Sequence, residues 1–153
     1  MDTLSYRTAT EADLPFLNAL MEEDAIGAAR DPLLPDHDAQ QREAMRAIAG
    51  DPLHTLYIVE RGGEAVGSFQ LSFIPGVSRK GAWRGQIESV RVSAAARGQG
   101  VGEAMMRWAI ARCEEKGCGV AQLTSDNSRE GAHRFYERLG FKPSHTGFKL
   151  ALP

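Results

Sequence analysis

Val90-Arg91-Val92, the step Ser93-Ala94-Ala95-Ala96, and then Arg97-Gly98-Gln99-Gly100-Val101-Gly102 lead directly into an amphipathic segment, Val101 to Lys116. The stretch reads as strand, loop and helix. A helix start leaves its first N–H groups without internal acceptors and carries the positive end of the macrodipole, so such a turn suits a pyrophosphate. Gly98, Gly100 and Gly102 remove side chains that would block the phosphates, and can take the positive φ that curls successive N–H groups into an anion-binding nest. Arg97 can add a charge-assisted hydrogen bond. A glycine-rich turn of this kind also closes helices against strands or binds other nucleotides. No Gly-Lys-Ser or Gly-Lys-Thr ends it, which removes the P-loop reading. It also comes late, after antiparallel-looking strands, which weakens the dinucleotide reading.

Outward from this turn, Trp83 to Val92 reads as the strand that enters it, and Val101, Ala104, Met105, Trp108 and Ala109 mark one helical face opposite Glu103, Arg107 and Glu114. Upstream, Thr55 to Glu60 and Glu64 to Ile74 are β-rich and joined by Arg61-Gly62-Gly63, a short hairpin connection; Pro75-Gly76 marks the next turn. Residues 3 to 8 predict an opening strand, and Thr10 with Glu11-Ala12-Asp13 resembles a capping box for a helix over about 11 to 29. Pro32 and Pro35 break the chain before an Ala-rich helix, Ala39 to Ala49, that Gly50 ends. Downstream, Gly117 and Gly119 close the amphipathic helix, and Val120 to Thr124 reads as a short strand. Ala132, Phe135, Tyr136 and Leu139 mark a last helix stopped by Gly140, and Phe141 to Leu150 can return as a final strand. The order predicts an α/β (α+β) fold: a central mixed, mostly antiparallel sheet flanked by about four helices.

The bulk numbers agree with one domain over residues 1–153: 42% hydrophobic and 25% charged residues. A net charge of −2 with no basic stripe argues against nucleic acid as a partner. No apolar run is long enough to span a membrane and the N-terminus lacks the pattern of a secretory leader, so the expected location is cytoplasmic, with no membrane partner. Cys113 and Cys118 lack a second ligand pair, and His37, His54, His133 and His145 are scattered, so no metal is expected. The thiols read as reduced, one on a helix and one in the loop after it.

With Arg97, Gly100 and Gly102 at the spacing Arg, two residues, Gly, one residue, Gly, the turn resembles the signature of the GNAT superfamily of N-acetyltransferases. Ala132, Phe135, Tyr136, Leu139, Gly140 and Phe141 resemble that family's closing helix, and the Ala-His-Arg-Phe-Tyr run with Ser144-His145 is similar to bacterial enzymes acting on small amines, including aminoalkylphosphonate acetyltransferases. The resemblance implies a GNAT-like fold and acetyl transfer from acetyl-CoA to a primary amine of a small molecule within a ternary complex. It implies a cofactor-binding set of Val90, Arg91, Val92, Arg97, Gly98, Gln99, Gly100, Val101 and Gly102, with the backbones of Val90 and Val92 pairing with the pantetheine arm. It also makes a homodimer plausible. Many relatives carry Asn three residues before the helix Ala; here that position is Arg129 and the nearby Asn is Asn127, so Arg129 either reaches the cofactor or is a solvated charge.

Acetyl transfer needs a neutral amine, and a lysine-like amine with pKa about 10.4 costs roughly 4–5 kcal/mol to deprotonate at neutral pH. Glu88 is the candidate base, directly or through a water, because simple alternation places it with Val90 and Val92, where desolvation would raise its pKa. A bulge would instead turn it to solvent or to an arginine. The departing thiolate, whose acid has pKa about 8.5, needs a proton. Tyr136 resembles the family's acid for that step, or packs as part of an apolar stripe. Acceptor selection in the family falls to the first helices and loops, here Met21-Glu22-Glu23-Asp24, the Pro32 to Asp38 segment and Trp83-Arg84, although an acidic run also suits a solvated helix face. A non-catalytic acyl-CoA-binding module and a protein or peptide acetyltransferase remain the competing readings.

Overall fold

The computed structural model describes residues 3–24 and 37–153. Five strands form one sheet in the order β1 (Leu4–Thr8), β2 (His54–Arg61), β3 (Glu64–Ile74), β4 (Trp83–Val92), β5 (Cys118–Gln122). The first four pair antiparallel, and β5 lies parallel to β4. Four helices of at least two turns accompany it among the described residues: α1 (Leu14–Glu23), α2 (His37–Ala49), α3 (Val101–Lys116) and α4 (Glu130–Arg138).

The two sheet faces divide the core. On one, Val59, Phe69, Leu71 and Ile87 meet Val101, Met105, Met106, Ala109 and Cys113 of α3, all buried. Trp108 of α3 stacks on Tyr6 of β1 at 4.2 Å and meets the edge of Tyr57. The helical stripe on α3 therefore runs through Met106 and Cys113 as well, while Ala104, expected inside, is exposed. The other face is covered by α1 and α2, where Leu14, Leu20 and Met45 are buried with Ile58. The parallel pair β4–β5 needs α3 as its crossover, which is why the glycine-rich turn falls at the end of β4.

Three expected boundaries move. The first helix begins with a 3-10 turn, Glu11–Asp13, and stops at Glu23, because Asp24 is already extended; the rest of the expected helix, and both prolines, lie outside the described residues. The strand expected over Val120 to Thr124 is Cys118–Gln122, set by the register Trp83↔Cys118 and Gln86↔Gln122, so Cys118 opens a strand and is not in a loop. The strand expected over Phe141 to Leu150 does not form. Pro143 lacks a donor and Gly147 lacks a side chain to pack, and the alternating Phe148, Leu150 and Leu152 stay exposed.

At the start of the chain, Asp13 accepts from Arg7 Nη1 and Nη2, both at 2.8 Å, and from the Thr10 N–H at 2.7 Å, as the capping-box reading expects. The Arg7 hydrogen bonds hold the Asp13 carboxyl below the ordinary aspartate range, against the opposing effect of burial. A depressed folded-state pKa gives stability that is present above the unfolded value, about 3.9, and lost as pH falls through the folded value. The advantage of the wild type over Asp13→Asn in urea denaturation is therefore expected to be full near neutrality and to shrink in acid below about pH 4.

Gly85 of β4 is required by close approach. A Cβ there would lie 2.2 Å from Cys113 Sγ and 3.2 Å from its Cβ. Burial pushes the Cys113 thiol up to about 11, so it is a packed, protonated group. Gly85→Ala is expected to destabilise the fold by about 1–3 kcal/mol, the usual cost of overpacking. Adding Cys113→Ala should recover part of that loss in thermal unfolding; no recovery would show that the clash is not the cause.

Candidate active site

The site is shaped by a bulge in β4. Gln70 pairs with Glu88 and Ser68 with Arg91, so two residues, Ser89 and Val90, oppose Phe69 alone. Ser89 takes φ +53°, the left-handed conformation that a bulge can demand. Alternation is reset at this point. Glu88 does not share a side with Val90 and Val92, as simple period-two counting expects; it shares one with Arg91, on the α1/α2 face. Val90 and Val92 pack toward the α3 core. Glu88 is exposed, so burial among valines is not its environment. Among the described residues its carboxylate has no hydrogen-bond or ion-pair partner.

Beside the bulge, the sheet opens. Pairing of β4 with β5 ends at Gln86↔Gln122, and beyond it the edge of β4 has no strand partner among the described residues. A cleft of about 370 Å³ lies there, lined by Leu20, Glu23, Asp24, Val90, Arg91, Val92, Arg97 and Arg129. At its end, Gly98 and Gly100 take φ +73° and +80°, and a Cβ on either would meet no atom within 4 Å, so the turn is open to a ligand. The Ala104 N–H donates to the Gly100 carbonyl at 3.1 Å, the first bond of α3, which leaves Val101, Gly102 and Glu103 N–H groups without intrahelical acceptors. The turn thus fits the pyrophosphate of acetyl-CoA. Arg97 Nε donates to the Val92 carbonyl at 3.2 Å, and Gln99 Nε2 to the Ala95 carbonyl at 2.9 Å.

Charge ties the end of α1 to this cleft. Arg129, at the start of α4, donates to both oxygens of Asp24, at 3.0 and 2.9 Å, and Arg91 Nε lies 3.7 Å from the same carboxylate. Glu23 accepts the Ala94 N–H at 2.9 Å and lies 3.9 Å from Arg97. Glu22 is exposed, as a solvated helix face expects, whereas Glu23 and Asp24 line the cleft and hold partners across it, and Arg129 is paired and not a solvated charge. Sequence reading missed this cluster. Asp24 and Arg129 stand 105 residues apart, and no local pattern links them.

Tyr136 is half-buried on α4, against Phe135 and Phe141, with ring centroids 5.2 and 6.0 Å away. Burial raises its phenol above the ordinary value, and the Arg129 charge opposes that in part, so the hydroxyl stays protonated at neutral pH. Among the described residues the hydroxyl makes no hydrogen bond. Glu88 projects on the α1/α2 face and Tyr136 packs against the core cluster on the α3 face, so the two stand on different faces of the sheet, and neither is among the residues that line the cleft. Among the described residues no three His, Cys, Asp or Glu side chains gather as a metal would need.

The model of the acetyltransferase (GNAT) family matches residues 14–141. The aminoalkylphosphonate N-acetyltransferase of Salmonella typhimurium is 32% identical over 111 residues, covering 72% of this chain and 71% of that protein. A transcriptional regulator from Bacillus halodurans superposes with a TM-score of 0.88 at 40% identity, over 98% of this chain and 100% of that one. A Trypanosoma brucei acetyltransferase superposes with a TM-score of 0.72 at 27% identity, over 98% and 100% of the two chains. The family match reaches from α1 past the end of α4 and so takes in the bulged strand, the glycine-rich turn and Tyr136 together: this chain belongs to the GNAT acetyltransferase family and is an acetyl-CoA-dependent N-acetyltransferase.

Proposed function

We propose that the acceptor is a small-molecule primary amine, acetylated by direct attack in a ternary complex, with Glu88 as base and Tyr136 as acid. The observation that carries this reading is that both side chains present polar groups without a protein partner among the described residues, Glu88 on the strand that borders the β4–β5 gap and Tyr136 within the field of Arg129 of the cleft wall. The aminoalkylphosphonate acceptor named for the Salmonella relative is a small amine of this class and supports it.

Acetyl-CoA supplies the activated acetyl group; the chain binds, aligns and moves protons. Val101, Gly102 and Glu103 N–H groups and the open turn at Gly98 and Gly100 hold the pyrophosphate, where the α3 dipole adds attraction. Arg97 exchanges its hydrogen bond from the Val92 carbonyl to a phosphate oxygen, which frees that carbonyl for the pantetheine arm. Backbone groups of Val90 and Val92 then extend the sheet along the unpaired β4 edge. Glu88, directly or through a water, takes the ammonium proton, leaving the nitrogen lone pair to form the new N–C bond. As the C–S bond breaks, the Tyr136 hydroxyl gives its proton to the sulfur, its raised pKa having kept that proton in place until then. The attacking nitrogen, cationic in the tetrahedral intermediate, gives up its second proton to water as the amide forms, and the phenolate is reprotonated from solvent.

The test is thiol release from acetyl-CoA with a panel of amines, aminophosphonates, aminoglycosides and peptides. Tyr136→Phe and Glu88→Gln are each expected to lower kcat by about 10²–10⁴-fold, the usual share of a general acid or base, while acetyl-CoA binding by calorimetry is retained. Release that no amine stimulates, with acetyl-CoA binding intact, would favour a sensory module. Release confined to peptides would move the acceptor to protein amines.

A further inference from the structure

The α1/α2 face of the sheet changes character across its width. On β2 it carries Leu56 and Ile58, but on β3 it carries Ser68, Gln70 and Ser72, and on β4 Gln86, Glu88 and Arg91. Inner strands of a sheet covered on both sides ordinarily present apolar side chains there, because buried polar groups need partners. One row of this polar area crosses four strands in register. His54 stands opposite Ser72, Ser72 opposite Gln86, and Gln86 opposite Gln122, at the point where β4 and β5 part.

The row is ordered by hydrogen bonds. Gln122 Nε2 donates to Gln86 Oε1 at 2.7 Å, and His54 Nδ1 lies 2.7 Å from the Ser72 hydroxyl, which is buried. Asp51 Oδ2 sits 3.5 Å from His54 Nε2 and favours the proton there, so Nδ1 accepts from Ser72. With its oxygen taken by Gln122, Gln86 is left with its amide N–H donors, which have no protein partner among the described residues. They lie one strand step from Glu88 on the same face.

We propose that Gln86 is an acceptor-binding residue that selects amines carrying a hydrogen-bond-accepting oxygen near the nitrogen, with Gln122, Ser72 and His54 as positioning residues acting through it. The inference rests on the acetylation of small amines argued above. Gln86 donates to that oxygen while Glu88 receives the ammonium, so the acceptor is held at two points beside the gap. Gln122 fixes which end of the Gln86 amide faces the acceptor. Ser72, anchored by His54, stands directly across from Gln86 and limits its rotamers, because opposed positions bring Cβ atoms to about 4.5–5.5 Å.

Steady-state kinetics on a polar amine and on an arylalkylamine of similar size test this in the full-length enzyme. Gln86→Leu is expected to raise KM for the polar amine about tenfold, the equivalent of one lost hydrogen bond, with KM for acetyl-CoA within about twofold and the arylalkylamine little affected. Gln122→Leu should act in the same direction and carries the test if Gln86→Leu does not fold. His54→Leu should raise the polar-amine KM a few-fold, and His54→Gln, which keeps an acceptor for Ser72, should restore it. An unchanged polar-amine KM in a Gln86→Leu enzyme that still transfers acetyl would overturn the proposal and leave amine acetylation standing. So would equal rises in KM for acetyl-CoA and amine. A wild type that transfers to no amine would overturn both.

Discussion

The arrangement of the site depends on one extra residue in β4. Without the bulge at Ser89 and Val90, alternation from the buried Ile87 would leave Glu88 on the α1/α2 face and carry Val90 and Val92 there with it, out of the α3 core. With it, the valines continue into the core while Glu88 and Arg91 turn to the other face. The same irregularity follows the point where β4 loses its neighbour, so the unpaired backbone edge, the carboxylate and the glycine-rich turn follow one another along a single strand. A positive φ at a serine is unfavourable by itself, and the pairing on either side of the bulge holds it.

The second organising feature is electrostatic. Asp24 binds Arg129 and neighbours Arg91, and Glu23 holds the Ala94 N–H, so the end of α1, the end of β4 and the start of α4 meet at the cleft. These charges are only partly exposed: Asp24 keeps 15% of its side-chain surface and Arg129 29%. Partly desolvated pairs contribute less net stability than their geometry suggests, because each ion also loses water. Their larger effect here is placement, since a bidentate Arg–carboxylate contact fixes orientation as well as distance. They also set a positive environment beside the Tyr136 phenol.

The two side chains proposed as acid and base stand on different faces. Tyr136 belongs to an aromatic, half-buried setting that keeps its proton, whereas Glu88 stands in a polar one open to solvent. Such different surroundings suit the acid and base roles proposed for the two side chains. Relatives differ in name from transcriptional regulator to aminoalkylphosphonate acetyltransferase, so the architecture by itself does not decide the acceptor.

The sequence by itself determined what local rules can carry. Strand β4 and helix α3 appear with the boundaries that their periodicity predicts, and the glycine-rich turn between them takes the positive φ at Gly98 and Gly100 that its sequence led one to expect. Tertiary structure alone decided the rest. The bulge follows from how β3 and β4 register, the engagement of Asp24 by Arg129 joins residues 105 apart, and the final segment forms no strand although its residues alternate. Hydrophobic periodicity reports the preferences of neighbours in the chain; which face a side chain meets, and which charge it finds there, is fixed only when distant elements pack.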